Sequence, residues 1–369
     1  MSKQTLADLH TPALLLSKLR LDRNLARMKA RMDGLGVRLR PHIKTVKSVD
    51  AFRPALDGAA GVTVSTLAEA EYAAANGVKS VLYAVGMAPS KLERACALTG
   101  AGVDLIVTVD STDAARAVAQ TRLGAVLEID SDDHRAGVKP KSEGALEIAR
   151  ALGGSFRGLM THAGGSYDCR TVEDIRAVAE RERCAVVETA AMLAAAGMPS
   201  LIVSVGSTPT AMFGESFAGV TEVRAGVYMF MDLVMAGLGV ATLDDIAVSV
   251  LTSVIGHQRE KNWLLVDAGW MALSRDRGTA SHAIDYGYGA VCDEAGHPIE
   301  DFIVSGANQE HGIISRRSGG PIDFDRVPIG RLLRILPNHA CATASQFDGY
   351  EVLGEDGAVI AYWPRINGW

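Results

Sequence analysis

The stretch DLIVTVDSTDAARAVAQTRLGAVLEID, residues 104–130, decides the fold because it holds two short apolar runs with a helical segment between them. Each run is rich in β-branched residues and ends at Asp, which is typical of buried parallel strands. The pattern continues in both directions along the chain. Similar runs lie at 37–44 (VRLRPHIK), 61–66 (GVTVST), 80–85 (SVLYAV), 156–162 (FRGLMTH), 201–206 (LIVSVG) and 221–230 (TEVRAGVYMF).

Helical segments alternate with these strands. Apolar residues in 21–35 recur at the 3.6-residue period of a helix, and 171–197 is predicted to be one long helix that ends at Gly197. Capping-box patterns that open helices are Thr66 with Glu69, Ser90 with Glu93 and Thr171 with Asp174. Eight strands alternating with helices predict an α/β fold with an N-terminal (β/α)₈ barrel. A doubly wound open sheet is the alternative.

The alternation of strands and helices stops after about residue 240, as expected at a domain boundary. The later runs, such as VSVLTSVIGH, WLLVDAGW and RLLRILPN, are strand-like and are separated by turns. We therefore expect a barrel at residues 19–240. A second, mostly β domain would comprise residues 241–369 with the opening strand in 1–18, and would carry the metal site described below.

Composition excludes several classes of protein. The net charge of −6 and the lack of a long basic run argue against a nucleic-acid partner. No signal peptide and no apolar stretch of membrane-spanning length is visible, so neither secretion nor a membrane partner is expected. The five cysteines are scattered and odd in number, which favours a reducing cytoplasm over a disulfide framework.

Small residues follow the seventh and eighth strands, where barrels often hold a phosphate. Gly206, Ser207 and Thr208 offer backbone N–H groups and two hydroxyls, and Gly226 permits close approach of the backbone. Either motif alone would be read as an ordinary turn. Together, in the expected strands, they predict a phosphate site.

Lys44 ends the first strand and can point into the mouth of the barrel. Desolvation and cationic neighbours, for which Arg40 and Arg135 are candidates, would lower its pKa and make the amine nucleophilic. A phosphate site with such a lysine suggests pyridoxal phosphate in a Schiff base. The alternative is an ordinary surface lysine.

The segment PNHACAT at 337–343 contains His339 and Cys341. If the segment is extended, both side chains lie on one face. Imidazole with thiolate favours Zn²⁺, although Mn²⁺ and Co²⁺ remain open, and only two protein ligands suit a catalytic metal. A buried cysteine beside a hydrogen-bonded histidine is the commoner reason for such a pair.

Four motifs together resemble the fold-type III pyridoxal phosphate enzymes, the alanine racemase-like group that includes D-serine dehydratases and D-threonine aldolases. They are RPHIKT at 40–45, VSVGSTPTA at 203–211, EVRAGVYMFMD at 222–232 and PNHACAT at 337–343. The resemblance spans nearly the whole chain. It implies a homodimer in which the partner completes each active site.

The resemblance also implies residue roles. Lys44 matches the Schiff-base lysine, Arg135 an arginine near the phenolic oxygen of the cofactor, and Tyr167 a tyrosine near the pyridine nitrogen. His162 would pack beside the cofactor or serve as a structural histidine at the barrel rim. Residues implied to hold the phosphate are Gly206, Ser207, Thr208, Gly226 and Tyr228. His339 and Cys341 match the metal ligands of the dehydratases, whereas in the aldolases the second ligand is more often an aspartate.

The expected reaction is removal of the β-hydroxyl of a D-3-hydroxy amino acid. With 3-hydroxyaspartate the products would be oxaloacetate and ammonia. Alternatives are D-serine as substrate, retro-aldol cleavage to glycine and an aldehyde, and a non-catalytic pyridoxal phosphate carrier. Candidates for binding the substrate side chain are Arg275, Arg277, Asn308, Gln309 and His311.

Overall fold

The computed structural model describes residues 4–369, which form two compact units. We call residues 27–226, with Gly368 and Trp369, the barrel unit, and residues 4–26 with 227–367 the β unit. The strands are β1 (Ala13–Ser17), β2 (Arg38–Pro41), β3 (Val62–Val64), β4 (Ser80–Gly86), β5 (Asp104–Val109), β6 (Gly124–Ile129), β7 (Phe156–Thr161), β8 (Ile202–Val205), β9 (Glu222–Ala225), β10 (Val248–Gln258), β11 (Trp263–Val266), β12 (Ala290–Cys292), β13 (Pro298–Ala307), β14 (Gly312–Arg316), β15 (Leu332–Leu336), β16 (Gly349–Leu353) and β17 (Val359–Pro364). The helices are α1 (Lys18–Gly34), α2 (Val49–Phe52), α3 (Leu67–Ala75), α4 (Leu92–Gly100), α5 (Thr112–Ala119), α6 (Glu143–Leu152), α7 (Val172–Ala195), α8 (Thr208–Phe213), α9 (Leu233–Gly237), α10 (Trp270–Leu273) and α11 (Ala340–Ala344).

The barrel unit contains one parallel sheet of eight strands in the order β2-β9-β8-β7-β6-β5-β4-β3. The sheet closes where His42, directly after β2, bridges Thr63 of β3, and the Ile43 N–H donates to the Thr63 carbonyl at 3.0 Å. Every residue of β6 and β9 is buried, as expected of strands that are covered on both faces. The predicted (β/α)₈ barrel is confirmed, and the open sheet is excluded.

The β unit is built on a nine-stranded sheet in the order β11-β14-β13-β12-β15-β10-β1-β16-β17. Since β11 also pairs with β10, six of these strands close on themselves. The opening strand β1 lies inside this sheet, antiparallel to β10 and parallel to β16. The expected mostly β C-terminal region is therefore confirmed.

The compact units change at residues 26/27 and 226/227, whereas the sequence suggested 19–240 and 241–369 with 1–18. Hydrogen bonds explain the difference. The Asn24 amide donates to the carbonyls of Met229 and Asp245, and the Leu233 N–H donates to the Pro337 carbonyl. The first turns of α1 and residues 227–240 are thereby tied to the β unit.

Helix starts follow the side-chain caps in two of the three predicted cases. The Asp174 N–H donates to Thr171 Oγ1 and the Thr171 N–H donates to Asp174 Oδ2, each at 3.1 Å, while Thr66 Oγ1 accepts the Glu69 N–H at the start of α3. The third helix is present, but Ser90 does not cap it. A 3₁₀ turn occupies Pro89–Lys91, and α4 starts directly after it at Leu92 without a side-chain cap.

No helix within residues 4–369 combines the length and the apolar character that a membrane span requires.

Candidate active site

Lys44 lies in the turn that follows β2, with its side chain exposed. Its backbone N–H donates to His42 Nδ1 at 3.4 Å, and the His42 N–H donates to the Ala225 carbonyl at 2.7 Å. The turn is therefore anchored to the end of the neighbouring strand β9. This is the carboxyl-terminal end of the barrel strands, where barrel enzymes place their chemistry.

Arg40 does not serve as a cationic neighbour of Lys44, contrary to expectation. Its Nε lies 2.9 Å from both carboxylate oxygens of Glu222, and the pair is buried between β2 and β9. The guanidinium is engaged in this pair, because a buried charge needs a partner of opposite sign. Arg224 does bring a positive charge to this end of the barrel, since it acts on the pKa of both His42 and His162.

Two histidines, His42 and His162, are held neutral at this end of the barrel. Burial is the main cause that lowers the pKa of both, and the positive charges of Lys44 and Arg224 add to it. The pKa of His162 falls to about 3. His42 was not among the predicted site residues, although the motif RPHIK offered a signal, since it lies only two positions before Lys44.

Glycine is required at two positions of the proposed phosphate site. At Gly206, where φ is +131°, a Cβ atom would lie 2.2 Å from the Arg224 carbonyl oxygen. At Gly226 it would lie 2.9 Å from the His42 carbonyl oxygen. At both positions two backbone segments lie closer together than a side chain would allow. A phosphate site uses the same close approach of the backbone.

Two amides of this turn are used within the protein, which differs from the expectation that they are available. The Gly206 N–H donates to Glu182 Oε1 at 2.8 Å, and the Ser207 N–H donates to Thr210 Oγ1 at 3.0 Å. Ser207 caps α8, accepting the Thr210 N–H at 3.2 Å. The Ser207 hydroxyl is engaged as well, with Ser166 Oγ at 2.8 Å and Thr210 Oγ1 at 3.0 Å. A phosphate here would therefore depend on the Thr208 hydroxyl and on the approach permitted by Gly226.

Arg135 and Tyr167 lie in the loops after β6 and β7. The exposed Arg135 is close enough for its positive charge to act on the pKa of Glu128 and of His162. Tyr167 ends a 3₁₀ turn, Gly164–Tyr167, and its ring centroid is 6.3 Å from that of His162. Lys44, His162, Arg135, Tyr167 and the Gly206 turn thus lie at one end of the barrel, and these residues fit pyridoxal phosphate.

Tyr228, predicted to help hold the phosphate, belongs to the β unit. It lies in the 3₁₀ turn Val227–Met229 and is fully buried, and burial raises the pKa of its phenol. The side chain is therefore a neutral hydrogen-bond donor.

The His-x-Cys segment is not extended as predicted. His339 has extended backbone angles as the residue that precedes α11, whereas Cys341 lies within that helix. The alanine-rich sequence ACATA explains the helix, since alanine has the highest helix propensity. The two side chains nevertheless meet, because the Cys341 thiol is a hydrogen-bond partner of His339.

His339 also contacts a carboxylate that sequence reasoning missed. Its Nδ1 lies 3.1 Å from Asp276 Oδ2, and the imidazole is 46% exposed. Burial opposes a charged imidazolium, but the bonds with Asp276 and Cys341 outweigh it and raise the pKa of His339. The surroundings of His339 therefore favour a positive charge.

This arrangement fits a divalent metal ion. A carboxylate that holds Nδ1 of a histidine leaves Nε2 for a metal, and a thiolate beside it supplies the second ligand. Within residues 4–369 no cluster of three or more His, Cys, Asp or Glu side chains has metal-binding geometry. His339 and Cys341 stay the two predicted protein ligands.

Two further polar residues hold this segment in place. Asp232 accepts the N–H of Ala340 and of Met235, each at 3.0 Å, and so caps both α11 and α9. The Asn338 amide donates to the carbonyls of Asp276 and Gly287 at 3.0 and 2.6 Å. The loop that carries Asp276 is thereby tied to the residue next to His339.

Replacing Asp276 with asparagine is expected to weaken metal binding by about 10–100-fold, because partners of this kind orient the ligand and raise its basicity. Metal titration of the apo protein in competition with a chromogenic chelator measures the effect. Asp293→Asn, which alters a surface pair with His297 in the same unit, is the control. Unchanged metal affinity in Asp276→Asn would contradict the assignment.

The predicted substrate-binding residues lie around α10 in the β unit, and all are exposed. The carbonyls of Asn308 and Gln309 accept the N–H groups of Trp270 and Met271, at 2.9 and 3.1 Å. The Arg275 guanidinium lies over the Trp270 ring, 5.1 Å from its centroid. His311 joins Asn308 through a backbone bond of 2.8 Å, and Arg277 is paired with Asp285 at 2.9 Å.

Comparison with known protein families finds two domains that together span most of the chain. The alanine racemase N-terminal domain matches residues 17–234, and a serine dehydratase domain matches residues 247–353. This chain belongs to the alanine racemase-like family. The resemblance drawn from the sequence motifs is confirmed.

Within the alanine racemase-like family, D-threo-3-hydroxyaspartate dehydratase of Delftia sp. (strain HT23) is 51% identical, and the alignment covers 100% of both chains. A solved structure of a cysteine-to-alanine variant of a D-threo-3-hydroxyaspartate dehydratase, in the metal-free form, has a TM-score of 0.97 at 49% identity over 100% of both chains. The 3-hydroxy-D-aspartate aldolase of Paracoccus denitrificans (strain Pd 1222) is 30% identical over 97% of this chain and 92% of that protein.

Proposed function

We propose that this protein is a dehydratase that uses pyridoxal phosphate and a divalent metal ion to remove the β-hydroxyl of D-threo-3-hydroxyaspartate, which yields oxaloacetate and ammonia. The observation that carries the proposal is the 51% identity, over the whole length of both chains, with an enzyme named for that reaction. The metal-free form of a structural relative supports dependence on a metal.

The proposed cofactor and the proposed metal ion would each contribute one kind of chemistry. Pyridoxal phosphate supplies an electron sink next to the α-carbon of the substrate, and the metal ion supplies a Lewis acid for the β-hydroxyl, which is a poor leaving group. Lys44 would hold the cofactor, with Gly206, Ser207, Thr208 and Gly226 around its phosphate. His339 and Cys341 would hold the metal, which we propose is Zn²⁺.

Residues of this chain would remove the α-proton of the substrate and orient the metal ligand. Lys44 Nζ would take the α-proton of the substrate, as its exposed position after β2 permits. His162 is neutral, so it places no second positive charge beside the Lys44 amine. Asp276 would hold His339 through its Nδ1, which leaves Nε2 of the same ring for the metal.

Product analysis tests the proposal. Purified protein loaded with pyridoxal phosphate and Zn²⁺ would be given D-threo-3-hydroxyaspartate, D-serine or D-threonine, with and without a chelator. Keto acid and ammonia that disappear with the chelator, formed fastest from D-threo-3-hydroxyaspartate, are expected. Glycine with an aldehyde would instead establish retro-aldol cleavage.

Retro-aldol cleavage is the second candidate, favoured by the 30% identity with a 3-hydroxy-D-aspartate aldolase. Both reactions begin with the same hydroxylated substrate, and they differ in which bond to the β-carbon breaks. Loss of hydroxide requires a Lewis acid that stabilises the leaving oxygen, whereas aldol cleavage requires removal of the hydroxyl proton. Product analysis separates the two. A protein that binds pyridoxal phosphate but turns over none of these substrates would favour the carrier alternative.

We further propose a homodimer that works in a reducing compartment such as the cytoplasm. All five cysteines are free thiols, which supports that environment. The proposed substrate is a small D-amino acid, and neither nucleic acid nor membrane is a proposed partner.

Replacing Arg275 with methionine is expected to raise KM for D-threo-3-hydroxyaspartate by about 10–100-fold, the effect of losing a hydrogen bond to a charged group. The β-carboxylate is attached to the same carbon as the hydroxyl that the proposed metal would polarise, and Arg275 directly precedes Asp276, the partner of His339. KM for D-serine, which lacks that carboxylate, should change little.

Steady-state kinetics with both substrates measures this selectivity. Arg331→Met is the matched control, because Arg331 is also an exposed arginine of the β unit. Equal losses with D-serine and with D-threo-3-hydroxyaspartate would show that Arg275 does not bind the β-carboxylate.

A further inference from the structure

A buried carboxylate, Glu182, lies in the middle of α7 and has no part in the chemistry described above. The residue is 1% exposed. Its Oε1 accepts two backbone N–H groups, that of Ala163 at 3.1 Å and that of Gly206 at 2.8 Å. Ala163 follows β7 and Gly206 follows β8, so one oxygen atom joins the ends of two neighbouring barrel strands.

These two amides bracket a side chain of the cofactor site. The Ala163 N–H belongs to the peptide group that contains the His162 carbonyl, so Glu182 holds the backbone at His162. The His162 ring reaches back to the second contact, with Nδ1 3.2 Å from the Gly206 carbonyl oxygen. Glu182 therefore holds the backbone at both ends of the hydrogen bond between His162 and Gly206.

That hydrogen bond sets the tautomer of His162. A carbonyl oxygen only accepts, so Nδ1 carries the proton and Nε2 carries the lone pair. The turn at Gly206 has no Cβ to restrict it, and its φ of +131° is one that only glycine adopts freely. Anchors on either side are needed to hold such a residue. They are Glu182 on its N–H and Thr210 Oγ1 on the Ser207 N–H.

We propose that Glu182 is a positioning residue that holds His162 in the Nδ1–H tautomer and fixes the Gly206 turn, which prepares the barrel end for pyridoxal phosphate. The part of this inference that concerns the cofactor rests on the proposed function. The part that concerns the tautomer does not.

Two variants of similar volume separate the hydrogen bonds from packing. Glu182→Gln keeps an oxygen that can accept both N–H groups, whereas Glu182→Met fills the space and leaves two buried donors without an acceptor. Glu180→Met is the control, because Glu180 is on the same helix but its side chain is 53% exposed and paired with Arg183. Apo protein of each variant is first checked for cooperative thermal unfolding.

The first readout is ¹⁵N NMR of histidine-labelled apo protein, with the His162 signal assigned by its loss in His162→Gln. Wild type, Glu182→Gln and Glu180→Met should show His162 protonated at Nδ1. Glu182→Met should show a mixture of tautomers. The second readout is titration with pyridoxal phosphate, in which Glu182→Met should bind about tenfold more weakly, the effect of roughly one lost hydrogen bond.

An unchanged His162 signal and unchanged cofactor affinity in Glu182→Met would overturn the proposal. If that variant does not fold, amide hydrogen exchange on the wild type decides, because the N–H groups of Ala163 and Gly206 must then exchange slowly, and fast exchange refutes the contact. A wild-type protein that does not bind pyridoxal phosphate would refute the proposed function, and the tautomer measurement would still test Glu182.

Discussion

Lys44→Ala is expected to abolish the visible absorbance of bound pyridoxal phosphate and to lower turnover by about 10²–10⁴-fold, the usual contribution of a positioned base. Both effects have one cause, since Nζ is proposed to bond to the cofactor and later to take the α-proton. The Lys44 side chain is exposed and lies in a turn outside the core, so the variant should stay folded.

Absorbance spectra and single-turnover kinetics measure these effects. Lys79→Ala is the matched control, because Lys79 is another exposed lysine of the barrel unit, placed before β4. Primary amines added to Lys44→Ala should restore part of the activity, since they replace the missing base. A visible band that survives in Lys44→Ala would show that another lysine holds the cofactor.

His339→Ala is expected to keep the cofactor absorbance and to lose dehydration by at least about hundredfold, because a Lewis acid contributes several kcal/mol to the loss of a poor leaving group. Lys44, not His339, is proposed to bond to the cofactor, so the cofactor linkage should not change. Cys341→Ala should behave in the same way.

Metal content, absorbance and keto-acid formation, measured on the same preparation, test this prediction. Chelation of the wild type should reproduce the loss, and Zn²⁺, Mn²⁺ or Co²⁺ should reverse it. His297→Ala is the control, because His297 is an exposed histidine of the same unit. Full dehydratase activity in His339→Ala would remove the metal from the mechanism.

The strand positions could be predicted because they depend on local patterns. Each of the eight barrel strands lies within the apolar run that predicted it or extends beyond it by one residue, as β4 does at Gly86. Once the strands are placed, the positions of the residues that follow them, such as Lys44 and Gly206, can also be predicted, because parallel strands end at the same face of a barrel.

Residues that meet through the tertiary structure could not be predicted in this way. Asp276 contacts His339 from 63 positions away, and no periodicity or spacing in the sequence connects the two. Glu182 is one of several charged residues in a long helix, and only the tertiary structure distinguishes it, by burying it against the N–H groups of Ala163 and Gly206. The sequence suggests Arg40 as a cationic neighbour of Lys44, but in the structure Arg40 pairs with Glu222, which lies 182 positions away.

The sequence by itself determined the barrel, the β region that follows it, the position of Lys44 after β2 and the presence of His339 and Cys341 in one short segment. These features depend on periodicity, chain order and residue type, which are local properties. The tertiary structure alone decided which N–H groups near Gly206 are occupied, which carboxylate orients His339 and where the helix that contains Cys341 begins. Those outcomes depend on hydrogen bonds between distant segments, whose partners are chosen by packing and by the cost of leaving a buried polar group unpaired.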